Sequence, residues 1–406
     1  MKIIKGGITS AKGFKAGAVS CGIKRSGRND LALLYSTVPC VCAGTFTTNR
    51  VRSGSVEFSE RLVRKGLSQA IAVNSGNANC CVGKNEIKHA KDIASLTARK
   101  LGLKGEKVLI ASTGIIGRPL PVAKIKKKIP LLVKDLNKVN GTGFAKAIMT
   151  TDTVHKEIAV KINIGKNVVT IGGAAKGSGM ICPNMATMLA FVTTDASIEK
   201  NALQSSFKEC VSDSFNRITV DGDMSTNDTA IIFASGLALN KKIKKDTKDY
   251  FEFLNALKFV LSQLAKKIVL DGEGATRFVE ISVTGAMHKR CAEVIARHVA
   301  DSNLIKTMIA GGDPNWGRVA GSVGSSKIAV KQGKIDIYFG NKLVMKNGAA
   351  TRVSGKALLD LFKKKEIDIT IDLKSGKNSF NVWTCDLTEK YVEINAEYGT
   401  WGGKHV

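Results

Sequence analysis

The sequence has no uninterrupted apolar run approaching the roughly 18 residues that cross a bilayer as a helix. A helical membrane span is therefore not expected. The opening residues, Met1-Lys2-Ile3-Ile4-Lys5-Gly6-Gly7, are too short and interrupted for a secretory signal, so a cytoplasmic protein is expected. Histidine is scarce, at five residues, and no HExxH occurs. The nine cysteines contain no CxxC, and neither Cys40-x-Cys42 nor Cys80-Cys81 has zinc spacing. No metal is expected, and the thiols read as free and buried in a reducing compartment. No repeat at solenoid periods is present. Aromatics are only 6% of the chain, and acidic residues number 34 against 62 basic ones. The resulting charge of +28 raises the prior for nucleic acid. The densest basic clusters, at 124–128, 241–245 and 363–365, lie far apart and carry no aromatic stacking motif. They read as solvated helix faces, and no specific nucleic-acid partner is expected. So basic a chain still favours anionic ligands.

What is there is globular: 406 residues, 44% apolar and 24% charged, enough for two or three domain-sized units or one large layered body. Alternating or continuous apolar runs predict strands at 30–36, 70–74, 107–111, 157–163, 167–171, 188–193, 277–283, 334–339, 367–373 and 390–395. Apolar residues at three-to-four spacing predict helices at 85–100, 121–137, 197–213, 245–267, 289–309 and 355–364. Ile367, Ile369 and Ile371 face one way and Asp368, Thr370 and Asp372 the other, as in a half-buried strand of an antiparallel or mixed sheet. The interleaving predicts an α/β layered fold, helices outside and sheets inside. Glycines number 40, and those at 172–179, 272–274 and 311–324 read as loops.

Familiar motifs fail one by one. Gly172 to Met180 is glycine-rich, but Lys176 precedes Gly177, so neither a Walker loop nor GxGxxG is formed. Asp221 to Asp228 has calcium-loop acids, but Thr226 and Ile232 stand where an EF-hand needs glycine and glutamate. It reads as a polar loop after a strand at 217–220. Ile110-Ala111-Ser112-Thr113-Gly114 is a buried strand entering a glycine turn, where backbone N–H groups can hold an anion. Met185-Ala186-Thr187-Met188-Leu189 places a threonine at a loop-to-strand junction, which β propensity alone explains.

Taken together, however, the segments Lys176-Gly177-Ser178-Gly179-Met180 through Pro183-Asn184-Met185-Ala186-Thr187-Met188-Leu189-Ala190 resemble the self-cleavage region of the ornithine acetyltransferase (glutamate N-acetyltransferase) family. Asn74-Ser75-Gly76-Asn77-Ala78-Asn79, Ser112-Thr113-Gly114-Ile115-Ile116-Gly117, Thr150-Thr151-Asp152-Thr153, Ser225-Thr226-Asn227-Asp228-Thr229, Asp271-Gly272-Glu273-Gly274 and Asp313-Pro314-Asn315-Trp316-Gly317-Arg318 resemble the same family in the same order. The likeness spans nearly the whole chain.

That resemblance implies an α/β layered sandwich, with helices covering two central mixed β-sheets, of the self-cleaved N-terminal-nucleophile kind. It implies cleavage between Ala186 and Thr187 into pieces 1–186 and 187–406, assembled as a heterotetramer of two copies of each. Thr187 becomes the nucleophile, and its freed α-amine, with a pKa near 7.7–8.0, supplies the base. Thr113 and Gly114 become the oxyanion hole, and Thr153, Lys176, Thr187, Glu273, Asn395 and Thr400 contact substrate. The implied reaction moves acetyl from N-acetylornithine to glutamate in arginine biosynthesis through acetyl-Thr187, without a cofactor. Some members of the family also accept acetyl-CoA. A self-cleaving aminopeptidase of similar architecture is the nearest alternative. Two segments depart from the family pattern: Asn79-Cys80-Cys81-Val82-Gly83, and the tail Trp401 to Val406 beyond Thr400.

Overall fold

The computed structural model describes residues 1–104, 106–136, 140–182 and 188–396. It divides into two compact units, Met1–Asn216 with Asp223–Ile268, and Arg217–Gly222 with Val269–Ala396. The expected α/β architecture with two mixed sheets is present, one sheet in each unit.

In the first unit, β1 (Lys2–Ile4), β2 (Phe14–Val19), β3 (Leu31–Phe46), β4 (Leu67–Asn77), β5 (Val108–Ile115), β6 (Lys156–Ile164), β7 (Asn167–Lys176), β8 (Leu189–Thr194) and β9 (Thr229–Ala234) form one sheet. Their order is β1-β6-β7-β8-β9-β3-β4-β5, with β2 on β3. β4 and β5 are parallel, as are β8 and β9; the other pairs are antiparallel. Strands β8 and β9 thus lie in the middle, between β7 and β3. Each is buried along its full length, as expected of strands covered on both faces.

Helices Gly54–Arg64, Glu86–Lys100 and Lys200–Ser212 cover this sheet, as do Val122–Asp135 and Gly141–Ala147. The first and last of these were not read from the sequence. Their starts are set by side-chain caps: Ser53 Oγ accepts from Val56 N at 3.3 Å, and Asn140 Oδ1 from Gly143 N at 2.7 Å. Gly172 and Gly173 were expected in a loop but lie inside β7. A Cβ on Gly172 would come within 2.1 Å of the Gly7 carbonyl oxygen, and one on Gly173 within 2.9 Å of Leu264. These glycines serve close packing, not chain reversal.

In the second unit, β10 (Phe278–Ala286), β11 (Asp336–Phe339), β12 (Lys342–Lys346), β13 (Ala349–Ala350), β14 (Glu366–Asp372) and β15 (Asn378–Cys385) are ordered β13-β12-β11-β14-β10-β15. β14 alternates as read, with Ile367, Ile369 and Ile371 buried and Asp368 exposed. Four expectations fail in this unit. The helix expected over 289–309 is two helices, Lys289–Ala300 and Asn303–Gly311. Apolar periodicity continues through the break, but Asp301 turns to accept from Thr219, and Ser302 starts a new helix with bonds to the N–H groups of Ile305 and Lys306. The expected loop over 311–324 contains helix Trp316–Ser325, whose Val319, Ser322 and Val323 are buried while Gly317, Gly321 and Gly324 face outward. The strand expected at 390–395 is helix Glu389–Ala396. Tyr391, Val392 and Ile394 favour strand, but helical spacing lets Tyr391 and Asn395 make separate polar contacts from one face, and tertiary context overrides propensity. At 217–220 only a single bridge, Ile218 to Trp383, replaces the expected strand.

Candidate active site

In the first unit the chemistry gathers where β4, β5 and β7 end. Gly114 has φ +130° and Gly76, its parallel partner, φ +96°. A Cβ on Gly114 would stand 2.3 Å from the Gly76 carbonyl carbon, so only glycine fits both the dihedral and the space. The strand end is braced by buried polar groups. Ser112 Oγ donates to Asn74 Oδ1 at 2.6 Å, and Asn227 Nδ2 donates to the Ser112 carbonyl at 2.8 Å.

Thr113 follows, buried. Lys176, also buried at the end of β7, donates from Nζ to Thr113 Oγ at 3.4 Å and to Thr150 Oγ at 2.8 Å. Because the Thr113 oxygen accepts from an ammonium, its own hydrogen remains to donate to a developing oxyanion. The balancing charge is Asp152, fully buried at its carboxylate. Asp152 Oδ1 accepts from Lys156 Nζ and Gly177 N, each at 2.7 Å, while Oδ2 accepts from Thr150 N at 3.0 Å and lies 4.0 Å from Lys176 Nζ. Burial pushes this carboxyl up, but the Lys156 and Lys176 charges, with the Lys156 and Gly177 hydrogen bonds, hold it well below the usual carboxylate range. The result is a fixed anion between two buried lysines, with Asp152 Oδ2 4.0 Å from Lys176 Nζ.

Asp228, immediately before β9, is the second buried acid. Its Oδ1 accepts from Met188 N at 2.9 Å, and its Oδ2 has no hydrogen-bond partner among the described residues. Burial raises its pKa well above the carboxylate value, outweighing the Met188 N–H and the Lys176 charge. Neither Asp152, Asp228, Lys156 nor Thr150 was singled out from the sequence as a site residue. The signal available was an acid four residues before a lysine at a strand entrance, and an acid directly before an apolar strand.

The expected residues fall into three sets. Thr113, Gly114 and Lys176 come together as described. Thr153 is exposed one residue beyond Asp152. In the second unit, buried Glu273 accepts from Asn395 Nδ2 at 2.9 Å, and on the same helix Tyr391 donates to Asp221 at 3.2 Å. Ala186, Thr187 and Thr400 lie outside the described residues. The described cysteines are all free, and most are buried. No helix among the described residues is long and apolar enough to cross a membrane.

Residues 15–400 match the ArgJ family. The chain belongs to the ArgJ family. It is 45% identical over 404 residues to the arginine biosynthesis bifunctional protein ArgJ of Caldanaerobacter subterraneus subsp. tengcongensis, covering 98% of this chain and 100% of that protein. It is 46% identical over 397 residues to the protein of the same name from Dehalococcoides mccartyi, covering 97% and 98%. A crystal structure of the arginine biosynthesis bifunctional protein argJ from Bacillus halodurans matches with TM-score 0.50 and 41% identity, over 51% of this chain and 97% of that one. As an ArgJ-family chain, it owes the buried Thr113–Lys176–Asp152 cluster to motifs that identified the family in the sequence.

Proposed function

We propose that the chain is a glutamate N-acetyltransferase of arginine biosynthesis. It moves acetyl from N-acetylornithine to L-glutamate, giving ornithine and N-acetylglutamate, after cutting itself between Ala186 and Thr187. The observation that carries this reading is the Thr113–Lys176 contact beside the Gly114 turn. It provides an oxyanion donor and a cation at the end of the strand whose antiparallel partner, β8, begins two residues after Thr187.

In self-cleavage, Thr187 Oγ adds to the Ala186 carbonyl carbon, and the C–N bond breaks in favour of an ester and a free α-amine. Water then cleaves the ester, leaving a carboxylate on Ala186. The new amine takes the Thr187 hydroxyl proton in the transfer reaction. Oγ attacks the acetyl carbonyl of N-acetylornithine, the ornithine amine leaves with a proton, and acetyl-Thr187 remains. The glutamate amine attacks that ester and regenerates Thr187. Thr113 and Gly114 hold the tetrahedral oxyanion; one such donor contributes about 2.7–4 kcal/mol in a comparable site.

Lys176 suits a substrate α-carboxylate and Glu273 an amine, with Thr153, Asn395 and Thr400 completing the contacts. The Bacillus halodurans chain, roughly half as long as this one, supports maturation into two pieces. The pairing of β7 with β8 and of β9 with β3 supports the pieces staying together. We further take the mature enzyme to be a cytoplasmic heterotetramer of two copies of each piece, with no bound cofactor and with acetyl-CoA as a second acetyl donor. An aminopeptidase would pass the acyl group to water instead.

Intact mass under denaturing conditions tests the first step. Two species of about 20 and about 23 kDa are expected, in proportion to 186 and 220 residues of a 43.3 kDa chain. Thr187→Ala should give one 43.3 kDa species without transferase activity. A cleaved, active Thr187→Ala enzyme would overturn the mechanism. Acetylornithine consumed at the same rate with and without glutamate would favour the hydrolase.

A further inference from the structure

Asn79-Cys80-Cys81-Val82-Gly83, one of the two segments that depart from the family pattern, is a loop between β4 and helix Glu86–Lys100. Asn79 has φ +50°, Cys81 φ +58° and Gly83 φ +92°. Asparagine and glycine enter the left-handed region readily, but a cysteine there is uncommon. In an extended chain, successive side chains point to opposite sides. Here the left-handed turn folds the second thiol back toward the first, and Cys80 Sγ lies 3.8 Å from Cys81 Sγ. Cys80 is fully buried, whereas Cys81 is exposed.

The loop is tied to the strand end that carries Thr113 and Gly114. The Cys80 carbonyl accepts from Gly117 N at 2.9 Å, and Ala78 N donates to the Ile115 carbonyl at 3.0 Å. Asn227 Nδ2 donates to the Ala78 carbonyl at 2.7 Å and to the Ser112 carbonyl at 2.8 Å. Asn79 Nδ2 donates to Ser55 Oγ at 3.2 Å, and that oxygen lies 2.8 Å from Ser112 Oγ. Residues 112–117 are thus held from both ends by contacts that involve 78–80. None of these contacts uses a thiol, and neither does the acetyl-transfer chemistry proposed above.

We infer that Cys80 and Cys81 are a modification site for low-molecular-weight disulfides, and that closing the Cys80–Cys81 bond pulls residues 78–80 off the oxyanion strand and lowers acetyl transfer. Exposed Cys81 is the entering thiol. Its thiolate attacks one sulfur of the external disulfide, a mixed disulfide forms on Cys81, and one external thiol leaves. Cys80 then attacks Cys81 Sγ, its proton passes to the departing sulfur, and the second external thiol leaves. Two protein thiols are oxidised to a disulfide as one external disulfide is reduced to two thiols. Burial first, then Cys81 and Glu86, push the Cys80 thiol up to about 11, against a hydrogen bond with Thr226. That fits the resolving role, with Cys81 reacting first.

Closure takes the two sulfurs from 3.8 Å to about 2.05 Å. Adjacent Cα atoms stand about 3.8 Å apart, short of the usual disulfide span of about 4.4–6.8 Å. The side chains therefore cannot absorb the change alone, and the loop backbone that holds Ile115 and Gly117 must shift. The same mismatch favours reduction, as a reversible modification requires. The effect on rate rests on the acetyltransferase reading; formation of the bond does not.

The test treats the complete, cleaved enzyme with glutathione disulfide, alkylates the remaining thiols, digests with trypsin and weighs the peptides. Tryptic peptide 66–84 contains Cys80 and Cys81 and no other cysteine. It should lose two hydrogens and escape alkylation. Acetylornithine–glutamate exchange should fall roughly tenfold or more as this peptide converts, and dithiothreitol should restore it. Cys81→Ser should keep the rate of the reduced enzyme and lose the response to oxidant. Cys80→Ala should stop at a glutathione adduct on Cys81 and stay active. A wild-type peptide 66–84 that remains a dithiol, or stops at the adduct, would overturn the inference. So would a closed bond with unchanged exchange, or an equal loss of rate in Cys81→Ser. No exchange by the reduced wild type would instead count against the acetyltransferase reading, and the peptide mass would still decide whether the site is real.

Discussion

Asp152→Asn should be among the most damaging single substitutions in the first unit that leave its shape intact. The change removes one negative charge and keeps the volume. It takes away the carboxylate charge that lies 2.7 Å from Lys156, whose side chain is 0% exposed, and 4.0 Å from Lys176. It also turns one carboxylate oxygen into an N–H₂ group facing either Lys156 and Gly177 or Thr150 N, all of them donors. Breaking one partner of a buried ion pair costs about 3–5 kcal/mol, because the remaining charge stays desolvated. For a unit of this size that corresponds to a fall in Tm of roughly 6–20 °C. Adding Lys156→Met should recover part of the loss, since it removes the buried ammonium that lost its counter-charge. The sign with pH follows from the depressed Asp152 pKa. The carboxylate's stabilisation is complete above the unfolded-state value of about 3.9 and is lost as pH falls from there toward the folded value. The wild-type-minus-variant difference should therefore be flat between about pH 5 and 8 and shrink in acid. Thermal unfolding of both variants across that range measures all three expectations. A Tm loss under about 2 °C, or a double variant no better than Asp152→Asn, would refute the argument that Asp152 is there to balance buried lysines.

Two further substitutions probe the site. Gly114→Ala places a Cβ against Gly76 at positive φ, so kcat should fall by about 10²–10³ as the proposed oxyanion donor is displaced; steady-state exchange kinetics within tenfold of wild type would contradict this. Asp228→Asn keeps an acceptor for Met188 N–H and should cleave nearly as wild type, because burial already favours the uncharged acid. Asp228→Ala loses that buried bond, about 1–3 kcal/mol, and should slow the appearance of the two mass species by roughly tenfold or more. Equal failure of both variants would show that the ionised carboxylate is required.

Much of this molecule was legible before any coordinates. The inward-facing isoleucines of β14 and the long amphipathic helices follow from periodicity, and the ordered motifs were specific enough to name the family. The failures have physical causes. Helix Gly54–Arg64 owes its start to a single cap at Ser53, and helix Glu389–Ala396 owes its state to contacts made by Tyr391 and Asn395 with residues distant in sequence. The glycines of β7 look like loop residues because what crowds them, the Gly7 backbone at Gly172 and the Leu264 side chain at Gly173, lies 165 and 91 positions away. In the site, Thr113, Gly114 and Lys176 were named in advance through resemblance. Asp152, Lys156 and Asp228 were not, since an acid shows its role only when burial and neighbouring ammonium groups are seen together.

The central place of β8 and β9 has a consequence for how such a molecule could be made. A piece ending at residue 186 would present two unpaired strand edges, β7 and β3, separated by a gap two strands wide. Exposed edges of that kind recruit whatever strand is nearest, including another copy. Co-expression of two separate genes would therefore yield aggregation in competition with assembly. Folding as one chain, with the cut made afterwards, fills the gap before either edge is left open. One continuous gene is then expected to favour folding, and the proposed cut to be a modification the finished sheet can absorb.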